Sequence, residues 1–355
     1  MHLLILVALL AVACGASPDD DEAVRPNLYQ YNMSARRTNA RFHRGRSATA
    51  QGIAASGAGG NVRTSSKQGI ALLGNGSALG GDWDGVNYVT LAQAALNQQD
   101  PAFWFNGHVG KQGVVSPSGS IFMPAFSFLT DVTHANCLTA LADADARASD
   151  GKKIITTFGE PELPASQNGN TYTAAQTAAA WGALVNDPAW VGQNVLFVGP
   201  YISTGAGSQY YTDFIAACTA SGFRLPDMLA SEKYGIWNQT VTSQANLILT
   251  RFDNDHAAYP ALPIVGLGMA VLGPSNQPPG PVPSNDYVFQ LMQLLHSGLE
   301  SRSYVAYYSW FIAGPSNWTP FRTSAGNNMM LFGLNTDNPP IATPIGNKWR
   351  ALCHN

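Results

Sequence analysis

The chain has 355 residues, enough for one large domain with a sizeable core or for two smaller ones. Hydrophobic residues supply 45% of it and charged residues only 12%, about half the usual share, so Gly, Ser, Thr, Asn and Gln do the solubilising. A formal net charge of −3 gives no basis for a nucleic-acid partner or an anionic membrane surface, and no internal apolar run is long enough to span a bilayer.

Leu3 to Ala13 is an apolar run followed by small residues, the pattern of a secretory signal with its cleavage site. Residues 1–17 are therefore expected to be a signal peptide, and the protein to be secreted, extracellular or cell-wall associated. Sequons at Asn32, Asn75, Asn238 and Asn317 are compatible with an exported glycoprotein. From Arg25 to Lys67 there is no acidic residue, while Arg36, Arg37, Arg41, Arg44, Arg46 and Arg63 recur without apolar periodicity. Residues 18–67 are read as a disordered basic arm or a propeptide.

From Gly69 the texture changes. Ile70–Leu73, Ala102–Asn106 and Ile121–Phe126 read as three short strands, and Ala135–Ala148 has helical spacing. Lys153–Phe158 is a fourth, β-branched strand that stops at Glu160-Pro161. Pro161 cannot donate to a sheet ladder and pushes Glu160 out of helical geometry, so this carboxylate belongs where strand gives way to loop. Thr173–Val185 is an Ala-rich helix, Asn194–Val198 a fifth strand, and Tyr210–Ala220 a helix stopped by Gly222. Met228–Ala230 is a sixth strand running into Ser231–Gly235. Ser243–His256 is helical, Pro263–Val265 begins a seventh strand, Tyr287–Leu299 is an amphipathic helix, Tyr304–Phe311 an eighth strand, and Lys348–Leu352 a closing helix. Eight apolar strands alternating with helices predict an α/β fold, a (β/α)8 TIM barrel over residues 68–355, preceded by the disordered arm.

Beyond Cys14, Cys137, Cys218 and Cys353 allow one disulfide with one thiol over, and the pairing stays open. No spacing suggests a metal site, and no early strand is followed by a Gly-rich phosphate loop, so no cofactor is expected.

Six segments, in order along the chain, resemble one family. They are Phe103-Trp-Phe-Asn106-Gly, Phe122-Met-Pro-Ala-Phe126, Thr157-Phe-Gly-Glu160-Pro-Glu-Leu163, the pair Asp213–Cys218 with Asp227–Gly235, and Tyr307-Tyr-Ser-Trp310-Phe311. Together they are similar to the glycoside hydrolase family 128 domain of the alkali-sensitive-linkage-protein type. The resemblance implies a TIM barrel of the large retaining-hydrolase clan acting on β-1,3-glucan. In such enzymes one carboxyl protonates the leaving oxygen while a second, roughly 5 Å away, attacks the anomeric carbon. The resemblance assigns the acid to Glu160 and places the family's nucleophile at Gly268, which has no side chain. Three further positions depart from the pattern: Gly159 stands where the family has Asn, and Glu232-Lys233 where it has His-Trp.

These departures imply a degenerate site and lost or much reduced hydrolysis. The expected partner is β-glucan or another polysaccharide. Trp104, Asn106, Tyr234, Trp310 and Phe311 are the candidate sugar contacts, since aromatic faces stack on sugar rings and polar edges bond hydroxyls. Two alternatives remain open: an active hydrolase pairing Glu160 with Glu232, and a structural cell-wall or particle-surface protein.

Overall fold

The computed structural model describes residues 63–72, 88–163, 171–236, 239–272, 283–313 and 342–354. Residues 1–62, with the expected signal and most of the basic arm, lie outside these, as do the asparagines of all four sequons. Nine strand segments run in chain order: β1 (Gln68–Leu72), β2 (Phe103–Phe105), β3 (Ile121–Phe122), β4 (Ala125–Phe126), β5 (Lys153–Gly159), β6 (Val195–Tyr201), β7 (Leu229–Ile236), β8 (Ile264–Leu272) and β9 (Val305–Ala313). Every pairing between them is parallel.

They close into a ring of eight staves. One ladder runs β3-β2-β1-β9-β8-β7 and the other β4-β5-β6. β3 and β4 are halves of a single stave, interrupted at Met123-Pro124, where the proline has no N–H to donate. The other joint lies between β6 and β7, where Val198 bridges Met228 and Gly199 N–H donates to the Met228 carbonyl at 2.9 Å. The result is a (β/α)8 barrel, a parallel sheet with no free edge and helices packed outside it.

Seven helices are described: α1 (Tyr88–Gln99), α2 (His134–Asp143), α3 (Ala174–Val185), α4 (Gln209–Ala220), α5 (Val241–Ala258), α6 (Asn285–Glu300) and α7 (Pro344–Cys353). From α2 onward each begins at a Ser or Thr whose hydroxyl accepts the backbone N–H three residues on: Thr133, Thr173, Ser208, Thr240, Ser284 and Thr343. Each such cap stabilises its helix by about 1 kcal/mol. Helix α1 was not among the expected elements, although Ala92, Ala95, Leu96 and Gln99 bury one face at helical spacing. The stretch 106–120 after β2 holds no helix. α2 ends at Asp143, short of the expected Ala148, because Asp145 turns back to accept the Phe122 N–H at 2.9 Å.

Strand alternation sorts the core into two shells. Phe103, Ile121, Met123, Ile154, Val198, Met228, Ala230, Val265 and Leu267 fill the lumen. Their outward neighbours, among them Trp104, Phe122, Phe197 and Trp310, pack against the helices. The three described cysteines are free and buried, on α2, α4 and α7, so the disulfide that their number allows does not form among them. Burial pushes the Cys137 and Cys218 thiols up to about 12 and Cys353 up to about 11.

Candidate active site

In a parallel barrel, chemistry collects at the carboxyl ends of the strands. Glu160 leaves the end of β5 with φ +40°, a left-handed conformation that a non-glycine residue adopts at a cost of about 1–3 kcal/mol. Its N–H donates to the Tyr201 carbonyl at 2.9 Å and its carbonyl accepts from Leu163 N–H at 3.1 Å, which holds the strained turn. The residue is 9% exposed. Two residues on, Glu162 accepts the Ser203 N–H at 2.5 Å and ties the loop after β5 to the loop after β6.

A second carboxylate stands two staves further round the ring, on β7. β7 and β8 pair with Glu232 opposite Gly268, next to a bulge between Ser231 and Glu232. A Cβ built on Gly268 would lie 2.9 Å from Glu232 Oε1, 3.4 Å from Glu232 Cγ and 3.4 Å from Phe311 Cβ. The Glu232 carboxylate therefore occupies the space that a side chain at 268 would fill. The Tyr234 hydroxyl donates to Glu232 Oε1, and the Tyr234 ring meets Phe311 edge-on at 5.8 Å between centroids. Glu232, Tyr234, Gly268 and Phe311 thus form one cluster on the mouth side of β7, β8 and β9.

The residue between the two mouth-facing groups of β7 points the other way. Lys233 reaches outward to Asp255 on α5 at 3.1 Å, with both side chains almost fully buried. Asp255 also accepts from Ser231 Oγ at 2.8 Å and from Ala206 N–H at 2.8 Å. A buried ion pair tolerates desolvation only with such added donors. Glu232 is not part of this pair. It faces the mouth because Lys233 faces the helices.

The structure does not bring every expected contact to the rim. Trp104 and Trp310 are each 0% exposed and belong to the outer shell. Trp104 packs on Phe122 and donates to Ser116 Oγ at 2.9 Å, while Trp310 packs on Trp349 of α7 with ring centroids 6.0 Å apart. In these positions their faces are core, not sugar platforms. Asn106, 2% exposed, donates to the Gly110 carbonyl at 3.2 Å and accepts from His108 N–H at 3.1 Å, so its amide pins the loop after β2.

Sequence reasoning missed Tyr201. The apolar run of the fifth strand breaks at Gly199-Pro200, which reads as a stop, yet β6 continues through it to Tyr201. Tyr201 pairs with Gly159, and a Cβ built on Gly159 would fall 2.1 Å from the Tyr201 hydroxyl oxygen. Among the described residues no group of three or more His, Cys, Asp or Glu side chains could hold a metal ion.

A closed parallel barrel with two carboxylates and two phenols at its carboxyl-end mouth has the architecture of glycosidase barrels. Residues 87–336 match the family model described as the glycosyl hydrolase catalytic core. This span is well over half of the chain, and the chain belongs to that family. Solved structures of glycoside hydrolase family 128 share its fold. An endo-β-1,3-glucanase from Amycolatopsis mediterranei, in complex with laminaritriose, superposes with a TM-score of 0.61 at 17% identity, covering 81% of this chain and 100% of that one. An endo-β-1,3-glucanase from Sorangium cellulosum gives 0.56 at 17% identity over 81% and 98% of the two chains. An exo-β-1,3-glucanase from Cryptococcus neoformans gives 0.55 at 16% identity over 81% and 100%. No curated protein matches the sequence.

Proposed function

We propose that this protein binds β-1,3-glucan or a related polysaccharide across the mouth of its barrel, and that its hydrolysis is much reduced. The substrate class is carried over from the glucanases that share the fold. The single observation that carries reduced hydrolysis is Gly268: a residue without a side chain cannot form a glycosyl-enzyme bond. Glu160 remains to protonate a leaving group, but proton transfer alone contributes only about 10²–10⁴-fold. That is far below the acceleration with which enzymes cleave slow-hydrolysing bonds. The apolar run Leu3–Ala13 supports placing the protein outside the cell, with N-terminal sequencing of the secreted form as the check.

One observation favours a second reading. The Glu232 carboxylate fills the side-chain space of Gly268 and accepts a hydrogen bond from Tyr234. Glu232 would then replace the missing carboxylate, as nucleophile or as the base that activates water.

Incubation with laminarin-type and other β-glucans, with reducing ends and binding measured in the same samples, separates the two. The first reading expects binding with little release, and only a modest change in affinity in Glu160→Gln. The second expects turnover that falls to background in both Glu160→Gln and Glu232→Gln, an outcome that would sink the first. Failure to bind any β-glucan would remove both and favour a structural role.

A further inference from the structure

Two glycines at the barrel mouth have their side-chain space filled from the neighbouring strand. At Gly268 the intruder is Glu232. At Gly159 it is Tyr201, whose hydroxyl oxygen and Cζ lie 2.1 Å and 2.7 Å from where a Cβ would stand. Real Cβ contacts are never that short, so no side chain at 159 is compatible with the phenol in this position. Gly159 is the residue immediately before Glu160, and the Tyr201 carbonyl holds the Glu160 N–H. The Tyr201 ring packs on the lumen core. It is the last residue of β6, at the carboxyl end where ligands enter, and is only half-buried.

We propose that Tyr201 is a substrate-contact residue of this site. Its ring caps the lumen core while its hydroxyl, threaded over Gly159, is presented beside Glu160 to a sugar hydroxyl. The proposal rests on the polysaccharide reading above. The chemistry suits a pyranoside: a phenol offers one donor and one acceptor at its tip and an apolar face behind it. The register itself enforces the placement. β5 and β6 slip at two points, between Ile155 and Thr157 and between Thr157 and Gly159, and the second slip sets Gly159 opposite Tyr201. A side chain at 159 would drive the phenol off this position, so the glycine is part of the device.

The test uses the full chain and laminarihexaose, reading the dissociation constant, or KM where turnover is seen, beside the melting midpoint. Tyr201→Phe keeps the ring and removes only the hydroxyl. The expected result is about three- to tenfold weaker binding, the loss of one hydrogen bond to the sugar, with the midpoint read beside it to report any change within the fold. Gly159→Ala should weaken binding at least as much, because its Cβ must displace the phenol. A measurement on the wild type avoids any folding defect: nitration of Tyr201 by tetranitromethane, followed by peptide mass, should be slowed by saturating laminarihexaose. Wild-type binding with both variants unaffected, or nitration not slowed by the sugar, overturns the role of Tyr201 and leaves the polysaccharide reading intact. A wild type that binds no β-glucan overturns both.

Discussion

At the scale of single residues, burial separates side chains that hold the barrel from those that face its mouth. Trp310 is fully buried against Trp349, so Trp310→Ala should cost about 3–5 kcal/mol of stability, read as a lower urea midpoint. Any loss of sugar binding in that variant should track its unfolding. His108 makes the opposite kind of forecast. It sits half-buried in the loop after β2, its Nε2 has no hydrogen-bond partner, and burial holds its pKa below the ordinary histidine value. A folded pKa below the unfolded one means the neutral ring's contribution is fully present above about pH 6.5. That contribution is lost as pH falls through the folded value. Replacing His108 with Gln should therefore flatten the melting temperature between pH 7 and 5, whereas an unchanged slope would show that the ring does not titrate there.

At the scale of elements, β7 is the strand on which the site depends. Its side chains alternate without a break, with Ser231 and Lys233 both turned outward to Asp255; the register shift against β8, from Ser231–Gly266 to Glu232–Gly268, sets Glu232 beside the glycine, and the Lys233–Asp255 pair locks the result from the helix side. Lys233→Met leaves Asp255 with only the Ser231 and Ala206 donors and should destabilise by about 3–5 kcal/mol. Lys233→Met combined with Asp255→Leu should cost less than the single change, because no charge is then stranded. Chemical denaturation of both variants checks the order. If the double variant proves the less stable, the pair is a net contributor and not merely a matched cost. The six Ser and Thr caps act at the same scale, and they tell each helix where to begin after its loop.

At the scale of the whole molecule, the first strand and the last described helix close the ring. Trp349 of α7 donates to the Gly69 carbonyl at 3.1 Å, and Gln68 Nε2 donates to the Trp349 carbonyl at 2.6 Å. Thr64 N–H reaches the Cys353 carbonyl at 2.7 Å, while Ser65 Oγ donates to Glu300 at 2.5 Å. First strand and last helix therefore cover each other across about 280 residues of chain, with sequence separations of 280 and 281 between the bonded pairs. Deleting residues 343–355 uncovers β1 and β9 together. The shortened chain should lose its cooperative melting transition, and retention of a sharp transition would show that the other staves fold without this clasp.

The amino-acid order by itself carried the staves, because buried parallel strands are short apolar runs and the stops between them are Gly, Pro, Ser and Thr. It also carried two facts about the site: Glu160 ends a strand because Pro161 follows it, and position 268 has no side chain. It did not carry the direction of a side chain. One residue of slip turns a strand residue from lumen to helix shell, so Trp104 and Trp310, legible as strand-end aromatics, proved to be core. Nor did it carry contacts between strands, since register belongs to two strands at once. Only the folded barrel, with its register shifts between β5 and β6 and between β7 and β8, set Glu232 against Gly268 and Tyr201 against Gly159.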